Sequence, residues 1–379
     1  MNVAIIGAGP IGLEAAAAAV RAGHEVVVYE AGQVGEAVRS WGHVQLFTPW
    51  KMAVTDAGLS TAQVELSDPD RFPTGHELVR HYLEPLARAL PVRPGHRVMA
   101  VGRERLRKGD ALGSRARTAD RFRLLLASDE GESTAYADAV LDCSGVFGDP
   151  APAGPGGLPA PGEAAAAKAG LVRYGPVDVA DLAGQRVAVV GDGASATSVL
   201  ASLLELEPTP TVYWLTPHSA VPSFASPDDD PLPARRALYR TGRDAPAHPA
   251  VHHLPERVLE TVERRHDGLH LVLDDDAALD VDCVVAATGF RPDHRLSREL
   301  QVHLCWGSEG PMKLAASLLS SSGGGGGDCL AQPEQGPDVL RVPEPRFFVL
   351  GNKSYGRRSD FLLQRGHSQV RDAIALLEA

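Results

Sequence analysis

Short apolar runs along the chain alternate with glycine-rich corners and with stretches in which apolar residues recur every three to four positions. Val3-Ala4-Ile5-Ile6 has no polar interruption, as expected of a strand covered on both faces. It enters Gly7-x-Gly9-x-x-Gly12, then a helical run from Leu13 to Ala22, then a second strand Glu25–Tyr29 closed by Glu30. The same order returns at Arg186-Val-Ala-Val-Val190: Gly191-x-Gly193-x-x-Ala196, a helical run to about Leu206, and the strand Thr211–Leu215. Each half then carries a hairpin-like pattern that ends in a small-residue corner, Cys143-Ser144-Gly145 in the first and Thr288-Gly289 in the second. The pattern predicts an α/β protein with two Rossmann-like dinucleotide-binding domains, the second inserted in the first.

The first repeat is longer, which places an insertion at residues 40–90. Residues 148–166 are rich in Pro, Gly and Ala and read as a linker, and Gly323–Gly327 as a flexible loop. Arg346–Leu350 reads as a strand and Phe361–Leu377 as a helix, a piece too short to fold alone. It is expected to return to the first repeat, giving a discontinuous domain of 1–150 and 335–379, a second domain of 165–297, and a flexible connection over 298–334.

The 379 residues include 37 Lys+Arg against 48 Asp+Glu, a formal charge of −11 that disfavours nucleic-acid binding. Only five residues are Lys, so abundant surface Arg reads as compositional bias. No run is long and apolar enough to span a membrane, and the first apolar stretch leads straight into a glycine motif that cleavage would destroy, so a cytoplasmic protein is expected. Cys143, Cys283, Cys305 and Cys329 form no CxxC pair, and Asp228–Asp230, Asp274–Asp276 and His252-His253 do not read as metal sites.

A dinucleotide turn needs one glycine for the corner, one for close approach of the pyrophosphate, and a small third residue for helix packing. The uncapped helix start then offers N–H groups and a positive dipole end. Gly7, Gly9 and Gly12, with Glu30 positioned for ribose hydroxyls, meet this description for an adenine dinucleotide. In the second turn no acid follows the strand, which leans towards NADP(H), with NAD(H) as the alternative; Arg235 and Arg236 are candidate ligands of a 2′-phosphate.

Together these features resemble the two-dinucleotide-binding-domain flavoproteins, on their flavin-containing monooxygenase and N-hydroxylase side. The resemblance rests on the GAGPIG turn, the Gly35…Trp41 stretch after Glu30, and the lack of a redox cysteine pair. It implies FAD on Gly7, Ala8, Gly9, Pro10, Gly12, Glu30, Trp41, Val98, Cys143, Ser144 and Gly145, with Gly351-Asn352 at the ribityl chain. It implies NAD(P)H on Gly191, Gly193, Ser195, Ala196, Thr288 and Gly289. It further implies a monooxygenase that uses O2 on N or S of a small-molecule substrate through a C4a-hydroperoxyflavin. A flavin reductase and a non-enzymatic cofactor-binding sensor are the alternatives, and self-association is left open. Two aromatic or basic stretches are candidate site builders: Trp41–Lys51, with His43 and Gln45 near the reacting centre, and Gly351–Arg358, with Lys353.

Overall fold

The computed structural model describes residues 1–224, 230, 232–321 and 336–378. Contacts divide the chain into two units: Met1–Gly42, Thr48–Asp149 and Arg291–Ala379 form one, His43–Phe47 and Pro150–Phe290 the other.

The first unit is built on a five-stranded parallel sheet in the order Phe347–Val349, Ala139–Asp142, Asn2–Ile6, Glu25–Tyr29, Val92–Arg93. The apolar run after Met1 is central because both its faces are covered; Val3, Ile5 and Ile6 are buried. The helix Pro10–Arg21 turns its alanine-rich face inward, and the helix Leu363–Glu378 packs on it. That approach is close enough that a Cβ at Gly366 would lie 2.3 Å from Ile11 Cδ1. The insertion expected at 40–90 is helical, including Trp50–Ala53, Asp56–Ala62 and Glu84–Arg88. A separate antiparallel sheet combines Arg97–Arg103, Phe122–Ser128 and Gly131–Ala137.

The second unit repeats this plan. Its parallel sheet runs Val251–Pro255, Thr211–Thr216, Arg186–Val190, Cys283–Ala286, Val172–Tyr174, and its antiparallel sheet Leu259–Arg265, Gly268–Leu273, Ala278–Val281. The repeat extends to the residue that passes the chain from one sheet to the other. Asp138 Oδ2 accepts from Asn2 N at 2.8 Å and Asp282 Oδ2 from Arg186 N at 2.7 Å, so each acid satisfies the first N–H of the central strand.

Three expectations change. The 148–166 segment is an ordered start to the second unit: fully buried Glu163 accepts from Ala153 N and Ala160 N, both at 2.8 Å, and from Tyr174 Oη at 2.7 Å. The described part of the expected connection, 298–321, groups with the first unit and carries the helix Met312–Ser321; its remainder, with Gly323–Gly327, lies outside the described residues. Nor is Arg only a surface residue. Glu344, Arg103 and Arg117 are buried side chains that pair at 2.8 and 2.9 Å, fastening the antiparallel sheet to the returning C-terminal segment.

Candidate dinucleotide sites

In the first turn Gly7 has φ +99°, and a Cβ there would lie 2.7 Å from Cys143 O. Gly12 has even less room, 1.9 Å from Gly7 O, because the helix must start against the corner. Gly9 faces open space, with no atom within 4 Å of a Cβ. It begins the helix with no capping side chain, leaving the terminal N–H groups for a ligand. Glu30 folds back on the turn: Oε2 accepts from Ala8 N at 2.7 Å and Oε1 from Gly32 N at 2.9 Å. Ser144 and Gly145 remain accessible beside the turn, whereas Cys143 is buried, its thiol pushed well up by burial. Trp41 packs near Phe147, with ring centroids 6.5 Å apart, and its Nε1 is a buried donor without a partner among the described residues. Val98 lies in the antiparallel sheet at a register shift, a few residues after His96 N donates to Glu30 O.

The second turn reproduces the backbone. Gly193 has the same φ of −81° and ψ of −175° as Gly9, again with no capping side chain and nothing within 4 Å of a Cβ. Gly191 has φ +119°, and a Cβ there would meet Ala287 O at 2.6 Å, the counterpart of Gly7 against Cys143 O. Ala196 is fully buried, Ser195 lies in the first turn of the helix, and Gly289 is open with φ +91°. Thr288 Oγ1 donates to Ala151 O at 2.5 Å.

The side chains differ more than the backbones. Gly7 N and Gly191 N donate to Tyr29 O and Leu215 O, so Thr216 stands where the first unit has Glu30. The acid has moved into the turn itself: Asp192 holds His218 Nδ1 at 2.6 Å. Buried Trp214 donates from Nε1 to Gly191 O at 2.7 Å, a bond with no counterpart in the first turn. Arg235 is held by buried Asp230 through contacts of 2.5 and 2.9 Å, so it does not stand as a cation awaiting a phosphate.

Lys353 is fully buried, its Nζ 2.7 Å from Asp142 Oδ2 and 3.0 Å from Ser144 Oγ. Ser144 Oγ donates to Asp142 Oδ1 at 2.6 Å. This places Lys353 behind the Cys143-Ser144-Gly145 corner, without exposure to a substrate. Gly351 N donates to Gln369 Oε1 at 2.8 Å, and Asn352 is partly exposed beside it. His43 and Gln45 are exposed and group with the second unit. Sequence reasoning missed Asp142, Asp192 and Trp214, although the first two directly adjoin or interrupt the glycine motifs.

Both turns therefore fit a dinucleotide: each combines a crowded corner glycine, an open approach glycine and an uncapped helix start. Residues 4–108 match the pyridine nucleotide-disulphide oxidoreductase family. Among solved structures the chain is similar to the bacillithiol disulfide reductase of Bacillus cereus, at 19% identity and a TM-score of 0.70, with 99% of this chain and 98% of that one covered. The chain has the fold of the two-dinucleotide-domain flavoproteins. The same fold relates it to the ornithine N-hydroxylase of Kutzneria sp. 744, at 16% identity and TM-score 0.65, covering 99% of this chain and 98% of that one. A flavin-containing monooxygenase from Stenotrophomonas maltophilia gives 19% identity and TM-score 0.57, with 99% and 98% covered. A comparison with curated protein sequences gives no match. No helix among the described residues is long and apolar enough to cross a membrane, and these residues contain no cluster of three or more metal-ligating side chains.

Proposed function

We propose that the protein is an FAD-dependent, NAD(P)H-using oxidoreductase and, within that class, a monooxygenase acting on nitrogen or sulfur of a small molecule. The observation that carries the finer reading is the state of the cysteines. Among the described residues Cys143, Cys283 and Cys305 are free. Burial pushes the Cys143 thiol well up and that of Cys283 up to about 11, the reverse of what a thiolate relay needs; hydrogen bonding with Ser308 lowers the Cys305 thiol, but it is joined to no other cysteine among the described residues. Likeness in fold to a flavin monooxygenase and an N-hydroxylase supports the same reading.

A bound flavin would supply the hydride-accepting and electron-passing chemistry. The protein's own part is binding and orientation. Gly7, Gly9 and Gly12 admit the FAD pyrophosphate to the helix start, with Glu30 placed at the adenosine ribose. Lys353, through Asp142 and Ser144, fixes the corner that passes the cofactor. Gly191, Gly193, Ser195 and Ala196 form the NAD(P)H turn, and Thr216 removes the acid that would repel a 2′-phosphate, which favours NADPH. His43 and Gln45 remain candidates for substrate contact.

A reductase is the second reading, favoured by the likeness to bacillithiol disulfide reductase. Incubation of the flavin-loaded protein with NADPH, O2 and a panel of amines and thioethers separates the two. A monooxygenase consumes one O2 per NADPH and leaves oxygen from 18O2 in the product. Substrate-dependent NADPH oxidation that continues without O2 overturns the monooxygenase reading. Absence of NADPH oxidation with every acceptor overturns both and leaves the sensor.

A further inference from the structure

Away from the glycine turns the first unit contains a cavity of about 640 Å³, lined among others by Lys108, His294, Arg298, Cys305 and Trp306. No residue of either glycine turn lines it. Its charges are unevenly matched. Glu309 holds Arg357 at 2.7 Å, and Asp293 holds Arg295 through both carboxylate oxygens. Lys108 Nζ donates to the carbonyl of Arg298 at 2.8 Å, and neither Lys108 nor the Arg298 side chain has an acidic partner among the described residues. Two cations at one cavity, in a chain of net charge −11, make a local positive field that attracts an anion.

The rest of the lining adds shape to this charge. Trp306 is 95% exposed, a large flat apolar face left in water next to the cations. Leu300, Val302 and Leu304 supply apolar surface.

We propose that this cavity binds a small aromatic carboxylate. Arg298 and Lys108 take the carboxylate, the guanidinium of Arg298 matching its two oxygens. The ring lies on Trp306.

Cys305, on the cavity wall, provides a readout that does not depend on turnover. The flavin-loaded full-length protein is treated with iodoacetamide in the presence of 4-hydroxybenzoate, and Cys305 alkylation is followed by peptide mass spectrometry. Saturating 4-hydroxybenzoate is expected to slow alkylation at least about fivefold, with Arg298→Ala and Lys108→Ala each raising the concentration needed about tenfold, the loss expected for one charge-assisted hydrogen bond. Neutral 4-hydroxybenzamide and inorganic phosphate are expected to give no protection, and Trp306→Ala to weaken it. Circular dichroism of the variants checks that they are folded. The proposal is overturned if 4-hydroxybenzoate gives no protection, if the amide or phosphate protects equally, or if a folded Lys108→Ala/Arg298→Ala protein is protected like the parent.

Discussion

Lys353 Nζ lies 2.7 Å from Asp142 Oδ2, with both side chains sealed from solvent. The pair joins two segments far apart in sequence, the corner after the strand Ala139–Asp142 and the loop after the strand Phe347–Val349. Its position directly behind Ser144 makes it a support for the first dinucleotide turn and not a group offered to substrate.

Removing one charge should therefore expose the cost of the other. Lys353→Met is expected to lower unfolding stability by about 3–5 kcal/mol, because it leaves Asp142 ionised and buried. Lys353→Met/Asp142→Asn should recover part of that loss in urea titrations. A Lys353→Met protein with unchanged stability and a raised substrate KM would contradict the supporting role.

The Arg103–Glu344–Arg117 cluster makes a parallel prediction. Glu344 accepts from both guanidiniums and from Gln301 N at 2.9 Å. Glu344→Ala is expected to destabilise the first unit by about 3–5 kcal/mol, since two cations lose their buried partner. Thermal melts should show the transition of the second unit unmoved.

His367 gives stability a pH dependence. Its Nε2 is buried without a partner among the described residues, and burial lowers its pKa to about 4. The unfolded value is about 6.5, so the contribution is fully present above pH ~6.5 and is lost as pH falls towards ~4, by on the order of 3 kcal/mol. His367→Phe should flatten stability between these limits. An unchanged slope in that variant would assign the acid sensitivity to other groups.

The two turns should separate in their response to a methyl group. Gly12→Ala has no space and is expected to abolish FAD retention in the purified protein. Gly193→Ala meets no protein atom within 4 Å but intrudes where a pyrophosphate would approach. It is expected to keep its FAD while raising the NADPH KM at least about tenfold, a loss of about 1.4 kcal/mol. Equal loss of FAD in both variants would overturn the assignment of the cofactors to separate turns.

Much of the plan was legible because parallel strands and glycine corners are local necessities. An uninterrupted apolar run, a tight corner and a small-residue helix face repeat at Asn2–Arg21 and Arg186–Leu204, and the structure forms the same elements at both. The side-chain partnerships were not legible. Nothing in the order of residues distinguishes buried Arg103 and Arg117 from the many surface arginines, or Glu163 from an acid in a solvated linker. His43 and Gln45 looked equivalent to Lys353 as polar residues near a motif, yet two are exposed and one is sealed.

The sequence by itself determined the doubled strand–turn–helix unit and the positions at which a dinucleotide could approach, because those depend on backbone conformation and on the absence of a Cβ. Only the tertiary structure decided which charges are spent inside the protein: Lys353 on Asp142, and Arg103 and Arg117 on Glu344. Such pairs form between residues remote in sequence, and their strength depends on distance and burial, neither of which is written along the chain.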